Sequence, residues 1–110
     1  MAQGALDGLR LIEMGSLIAG PFCGQLMADH GAEVIKIEAP GEGDPMRGWG
    51  REQPVWFPLI ARNKKTITLN LKDPRGQDLL KRLVRKSDFV LENFRPGTLE
   101  RWGLGWEELS

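Results

Sequence analysis

Residues 9–38 read "LRLIEMGSLIAGPFCGQLMADHGAEVIKIE", and this stretch decides the fold. Leu9–Met14 is a short apolar run halted at Gly15, the pattern of a buried strand. Pro21 suits the first position of a helix, where its missing N–H is no loss. Phe22, Cys23, Leu26 and Met27 then recur at helical spacing and predict that helix's apolar face, with Gly31 as its stop. On this reading Cys23 is a small core residue. Ala32–Glu38, "AEVIKIE", is rich in β-branched residues and reads as a second strand. Strand, helix and strand so closely spaced imply a right-handed crossover and a parallel pair.

Beyond this unit the pattern lapses and then resumes. Pro40–Pro58 holds glycines, prolines and two tryptophans with no period, and predicts a long loop. Lys65–Leu71, "KTITLNL", alternates and predicts a third strand. Asp73 and Pro74 are suited to cap and open the next helix, and Leu79, Leu80, Leu83 and Val84 form its apolar face. Arg85 and Lys86 fall in its last turn, where cations complement the dipole. Asp88–Asn93 predicts a fourth strand, followed by a short helix near Thr98 and another opening at Gly105. The order predicts an α/β fold of Rossmann-like βαβ units with a mostly parallel sheet, one unit over residues 1–110. Ligands of such a fold sit beyond the carboxyl ends of the strands.

Composition narrows the function classes. The 110 residues are 41% hydrophobic and 27% charged, which supports a folded core. Lys plus Arg and Asp plus Glu number 15 each, so no overall field draws nucleic acid or an anionic membrane. A single cysteine and a single histidine exclude an internal disulfide and make a protein-only metal site a poor expectation. No span approaches the ~20 apolar residues of a membrane helix, and the first ten residues lack a signal-peptide core. A reducing, cytoplasmic setting is the expectation.

Three stretches carry chemistry, each beside a plain structural reading. Gly15, Gly20 and Gly24 with Glu38 invite comparison with a dinucleotide site, but their spacing is not that of G-x-G-x-x-G. A plain structural turn is the better-supported reading. Arg62, Lys64, Lys65 and Lys72 flank the third strand and suit either a polyphosphate or a solvated surface. Asn93, Arg95 and Arg101 surround the exit of the fourth strand, on the ligand side of the fold or in an ordinary connection. Trp49 and Trp56 can pack on an adenine or pin the loop. His30 reads as a cap or a surface group.

The stretches "LDGLRLIEMGSLIAGPFCGQLMADHGAEVIKIEAPGEGD", "RNKKTITLNLKDPRG" and "SDFVLENFRPGTLERWGLGWEEL", in this order, resemble the opening of family III CoA-transferases. That CaiB/BaiF group includes formyl-CoA and carnitine CoA-transferases and alpha-methylacyl-CoA racemase. The resemblance implies coenzyme A or acyl-CoA as substrate with a carboxylic acid acceptor, no metal and no flavin. By position it implies that Ile18 and Ala19 lie near the thioester and that Ala39 follows the second strand. Leu69, Asn70, Leu71 and Lys72 would line the adenine and phosphate region. Asn93, Phe94 and Arg95 would border the pantetheine, and Arg101 the phosphates.

Two positions depart from the family. Ile18 stands where formyl-CoA transferases have a glutamine, which argues against formyl or oxalyl substrates. Ala39 stands where several members have an arginine, leaving Arg47, Arg51 or Arg62 to supply a phosphate contact. The resemblance also implies that a nucleophilic aspartate, or a racemase His/Asp pair, lies beyond Ser110. The chain alone is then expected to be inactive, an incomplete N-terminal part of a larger domain, with a homodimer for the full-length family. Remaining alternatives are a non-catalytic CoA- or nucleotide-binding module, an assembly fragment, and half of an NAD-dependent oxidoreductase.

Overall fold

The computed structural model describes residues 3–50 and 52–110. Its elements in chain order are β1 (Arg10–Glu13), α1 (Ala19–Asp29), β2 (Glu33–Glu38), a 3-10 turn (Pro45–Gly48) and α2 (Trp56–Ile60). There follow β3 (Lys64–Thr68), α3 (Pro74–Val84), β4 (Phe89–Leu91), α4 (Thr98–Arg101) and α5 (Trp106–Leu109). The four strands form one sheet in the order β3-β2-β1-β4, and every pairing is parallel.

The chain steps from β1 to β2 to β3 and then returns to the far side of β1. Right-handed crossovers put the helices of the two halves on opposite faces. α1 therefore covers one face, where Leu11, Ala28, Ala32 and Val34 pack together. The other face buries Ile12, Met14, Ile37, Leu80 and Leu104 beneath α3 and the last two helices. Side-chain alternation along β1 sends Leu11 and Glu13 towards α1 and Ile12 and Met14 towards α3. The reversal in strand order makes the gap between β1 and β4 the switch point.

Local signals placed the elements well. Asp73 caps α3 by accepting from Arg75 N at 2.8 Å, with Pro74 as the first helical residue. Gly31 follows the α1 cap at φ +106°, a left-handed position that favours glycine. Leu80 anchors α3 in the core, while Leu79 lies at the margin, 44% exposed.

Four expectations are corrected. α1 begins at Ala19, so Pro21 is its third residue, still in the first turn where N–H groups lack helical partners. The helix also packs mainly through small residues: Gly20, Pro21, Gly24 and Ala28 are buried together with Gln25, whereas Phe22, Cys23 and Leu26 are exposed. Residues spaced by four with little or no side chain let the helix approach the sheet closely, and that turns the bulky residues outward. The stretch read as a long loop holds the 3-10 turn at Pro45–Gly48 and the start of α2 among its described residues. Finally α3 stops at Val84, so Lys81 and Arg82 occupy its last turn, and Arg85 is the cap.

Candidate functional site

A cavity of about 260 Å³ opens at the carboxyl edge of the sheet. Residues following all four strands line it: Met14–Ser16 after β1, Ala39 and Pro40 after β2, Leu69–Lys72 after β3, and Phe94 after β4. The strand exits converge there because a parallel sheet points every carboxyl end the same way. Glu42 to Pro45 close one side.

Six predicted site residues share this cavity: Ala39, Leu69, Asn70, Leu71, Lys72 and Phe94. The other five are outside its lining. Ile18 and Ala19 are exposed at the start of α1. Asn93 turns its amide onto Ser16, accepting from its N at 2.9 Å and donating to its O at 3.0 Å. Arg95 and Arg101 are exposed, and Arg101 Nη2 donates to Thr98 Oγ1 at 3.2 Å. Trp49 and Trp56 are not in the lining either. Trp102 is, meeting Phe94 edge to face with centroids 5.4 Å apart at 74°. The signal for Trp102 was its place in the turn after α4, within a stretch rich in candidate ligand contacts.

The charged residues around the cavity form a network that periodicity could not show. Glu13 and Lys36 are opposed in the β1–β2 register and both buried. Lys36 Nζ lies 2.9 Å from Glu13 Oε2 and donates to Gly15 O at 3.0 Å. It also stands 2.8 Å from Asp44 Oδ2, an ion pair outside hydrogen-bond angles that leaves this oxygen held by charge alone. Lys64 Nζ donates to Glu13 Oε1 at 2.7 Å and to Pro21 O at 2.6 Å. Asp44 Oδ1 accepts from Leu17 N at 3.0 Å and Met46 N at 2.9 Å, and Asp44 N donates to Glu38 Oε1 at 3.0 Å. Arg47 closes the chain with two bonds to Glu38, at 2.9 and 2.7 Å, while lying 3.9 Å over the Phe57 ring.

This network sets the ionisation of its members. Burial pushes the Asp44 carboxyl up, but the Lys36 ammonium and the N–H groups of Met46 and Leu17 outweigh it, and the group is held below its ordinary range. Glu38 behaves alike: burial opposes, and Arg47 with the Asp44 N–H prevails. Burial pulls the Lys64 amine down, offset in part by Glu13.

The network also decides which cations a ligand can use. Lys64 is spent on Glu13 and Lys65 on Glu33, while Arg62 pairs with Asp29 at 2.7 Å. These three precede or open β3, at the edge opposite the cavity, so they are not a joint polyphosphate site. Arg47 is engaged by Glu38, and Arg51 lies outside the described residues. Of Arg62, Lys64, Lys65 and Lys72, Lys72 alone lies at the carboxyl edge, exposed on the cavity lining. His30 is exposed, with Nδ1 2.7 Å from Leu26 O. Among the described residues no group of three or more His, Cys, Asp or Glu could hold a metal ion, and no helix is long and apolar enough to cross a membrane.

Comparison with known proteins gives a consistent result. Residues 6–110 match the profile of CoA-transferase family III. The succinyl-CoA–D-citramalate CoA-transferase of Chloroflexus aurantiacus is 65% identical over an alignment of 108 positions that covers 94% of this chain and 27% of that protein. A formyl-CoA:oxalate CoA-transferase of Rhodopseudomonas palustris is 43% identical over 96% of the chain and 26% of its own length. The crystal structure of a hypothetical protein from Mycobacterium tuberculosis superposes with a TM-score of 0.93 at 40% identity, covering 99% of this chain and 31% of that one. A CaiB/BaiF family protein from Brucella suis gives 0.91 at 40% identity, covering 98% and 30%. The chain thus spans about a quarter of the length of the curated relatives it matches. With a four-stranded parallel sheet that superposes on a larger family structure and a profile match along almost its whole length, the chain belongs to CoA-transferase family III.

Proposed function

We propose that this chain forms the adenosine-phosphate side of an acyl-CoA site, in a cytoplasmic enzyme that transfers CoA between an acyl-CoA and a carboxylic acid. The observation that carries the reading is the meeting of Ala39, Leu69, Asn70, Leu71, Lys72 and Phe94 in one cavity at the carboxyl edge. Its lining is largely apolar, with the Phe94–Trp102 pair as an aromatic wall and Lys72 as an exposed cation. That combination suits a purine base that carries phosphates, since the ring is desolvated and the charge is met at the rim.

The reacting carboxylate belongs, on this proposal, to polypeptide beyond Ser110. The buried carboxylates at the cavity, Glu38 and Asp44, are held by Arg47, Lys36 and backbone N–H groups. Both are buried and neutralised by cations, which weakens a carboxylate as a nucleophile and supports a positioning role. Ile18 and Ala19 would then approach the thioester once further polypeptide covers them. Ile18, Phe22, Leu26, Val55, Trp56 and Leu59 are exposed apolar residues of α1, α2 and their approach, which supports burial of this surface by more chain or by the second copy of a homodimer.

Isothermal calorimetry with CoA and with NAD tests the reading. CoA is expected to bind and NAD to give no competing heat. Lys72→Ala should weaken CoA about tenfold by removing one charge-assisted contact. Ala39→Glu, which adds an anion at an exposed lining position, should abolish binding. CoA binding unchanged in both variants, or NAD binding as tight as CoA, overturns the proposal.

A further inference from the structure

The turn between β1 and α1 lies at the switch point, where doubly wound sheets receive a diphosphate on free backbone N–H groups. In this chain two of those groups are already engaged. Ser16 N donates to Asn93 Oδ1, and Leu17 N donates to Asp44 Oδ1. Both acceptors are side-chain oxygens brought in from distant segments. Asp44 is 4% exposed, and its negative charge is balanced by Lys36, which also grips Gly15 O in the same turn. Leu17 sits at φ +63°, a left-handed backbone form uncommon for a residue other than glycine.

The glycines fit the same arrangement. A Cβ on Gly15 would stand 2.5 Å from Asn93 Oδ1, and one on Gly20 would stand 3.1 Å from it. Their lack of a side chain makes room for the Asn93 amide. A Cβ on Gly24 would stand 1.9 Å from Glu13 Oε1, so the third glycine serves the buried ion pair. Each of the three thus has a packing reason within the chain.

We infer that Asp44 and Asn93 are specificity-determining residues that fill the diphosphate position of the β1–α1 turn with the chain's own oxygens and so exclude dinucleotides from the switch point. A diphosphate arriving there finds the Ser16 and Leu17 donors taken, and must displace a side-chain oxygen from each. Breaking a charge-assisted bond to Asp44 without an equal replacement makes entry unfavourable. Lys72 at the cavity rim stays open to anionic ligands. The inference stands on the turn geometry and holds whether or not the cavity takes CoA.

The test follows the Ser16 and Leu17 amide resonances of the full chain by NMR during titration with inorganic pyrophosphate, and again with NAD. Neither resonance should show a saturable shift in the native chain. Asp44→Ser keeps an oxygen able to cap the 3-10 turn at Met46 N, frees Leu17 N–H and leaves Lys36 with surplus charge. That variant should show saturable shifts and bind pyrophosphate about tenfold tighter than the native chain. Asn93→Ala, at an exposed position, frees Ser16 N–H without touching a buried charge and should show a smaller gain. Saturable shifts at Ser16 and Leu17 in the native chain overturn the inference, whether or not either variant folds. Silence in both folded variants overturns it as well. CoA binding in the same samples bears only on the function proposed above.

Discussion

Replacing Lys36 by Met tests whether buried charge holds the site together. The Lys36 side chain is 1% exposed, and its ammonium serves Glu13, Asp44 and the Gly15 carbonyl at once. Met approximates the length of the aliphatic stem, so the change removes charge with little change in packing. In the native cluster Glu13 and Asp44 balance Lys36 and Lys64. Without Lys36, two buried carboxylates are left with Lys64, which reaches only Glu13. Breaking a buried pair from one side costs about 3–5 kcal/mol. That is a large part of the ~5–15 kcal/mol that holds an ordinary domain folded. Urea unfolding followed by circular dichroism reads the cost as a fall in midpoint at constant slope.

Acid gives this prediction its distinguishing sign. In the native chain Asp44 is held below its ordinary value of 3.8, so its contribution is present above that value and lost as pH falls through the folded one. In Lys36→Met the burial is unopposed by the ammonium, and the same carboxyl rises above its unfolded value. Protonation then relieves the variant, and the cost shrinks between neutral pH and about pH 4. A cost below about 1 kcal/mol at neutral pH, or one that grows in acid, refutes the assignment of a stabilising role to this network.

Two further predictions concern neighbouring parts of the network. Glu38 is held below its ordinary 4.5, so the stability it supplies is present above that value and lost as pH falls through the folded one. Glu38→Gln should flatten the decline of melting temperature in acid, and an unchanged decline counts against the Glu38–Arg47 pair. Gly24→Ala adds a methyl within 1.9 Å of Glu13 Oε1, an oxygen that cannot swing away without leaving Lys64. The gain in helix propensity of up to ~1 kcal/mol should be outweighed, giving a net loss of about 1–3 kcal/mol by urea unfolding. A variant as stable as the native chain shows that the Glu13 carboxylate is free to move.

Much of the fold was legible because its signals are local. The Asp73–Pro74 start, the Gly31 stop and the β-branched run at Glu33–Glu38 each depend on backbone preferences of a few adjacent residues. Those runs placed all four strands, and crossover handedness then arranged them. The resemblance in turn pointed to Ala39, Leu69–Lys72 and Phe94, which follow three different strands and meet only because the sheet is parallel.

The buried face of α1 and the roles of the charges were settled by tertiary structure. Hydrophobic periodicity made Phe22, Cys23 and Leu26 the inner face, yet the close approach of helix and sheet selects Gly20, Gly24 and Ala28 instead. Lys64 and Glu13 are separated by 51 positions, and Asn93 and Ser16 by 77. Pairing at such separations leaves no periodic trace, because any lysine beside any strand reads alike until the chain folds. The sequence by itself determined a parallel α/β unit with ligand-facing strand ends. Only the packed structure decided which glycines, carboxylates and cations are spent inside the protein and which remain to meet a ligand, since burial and distance, not residue type, set whether a charge is available.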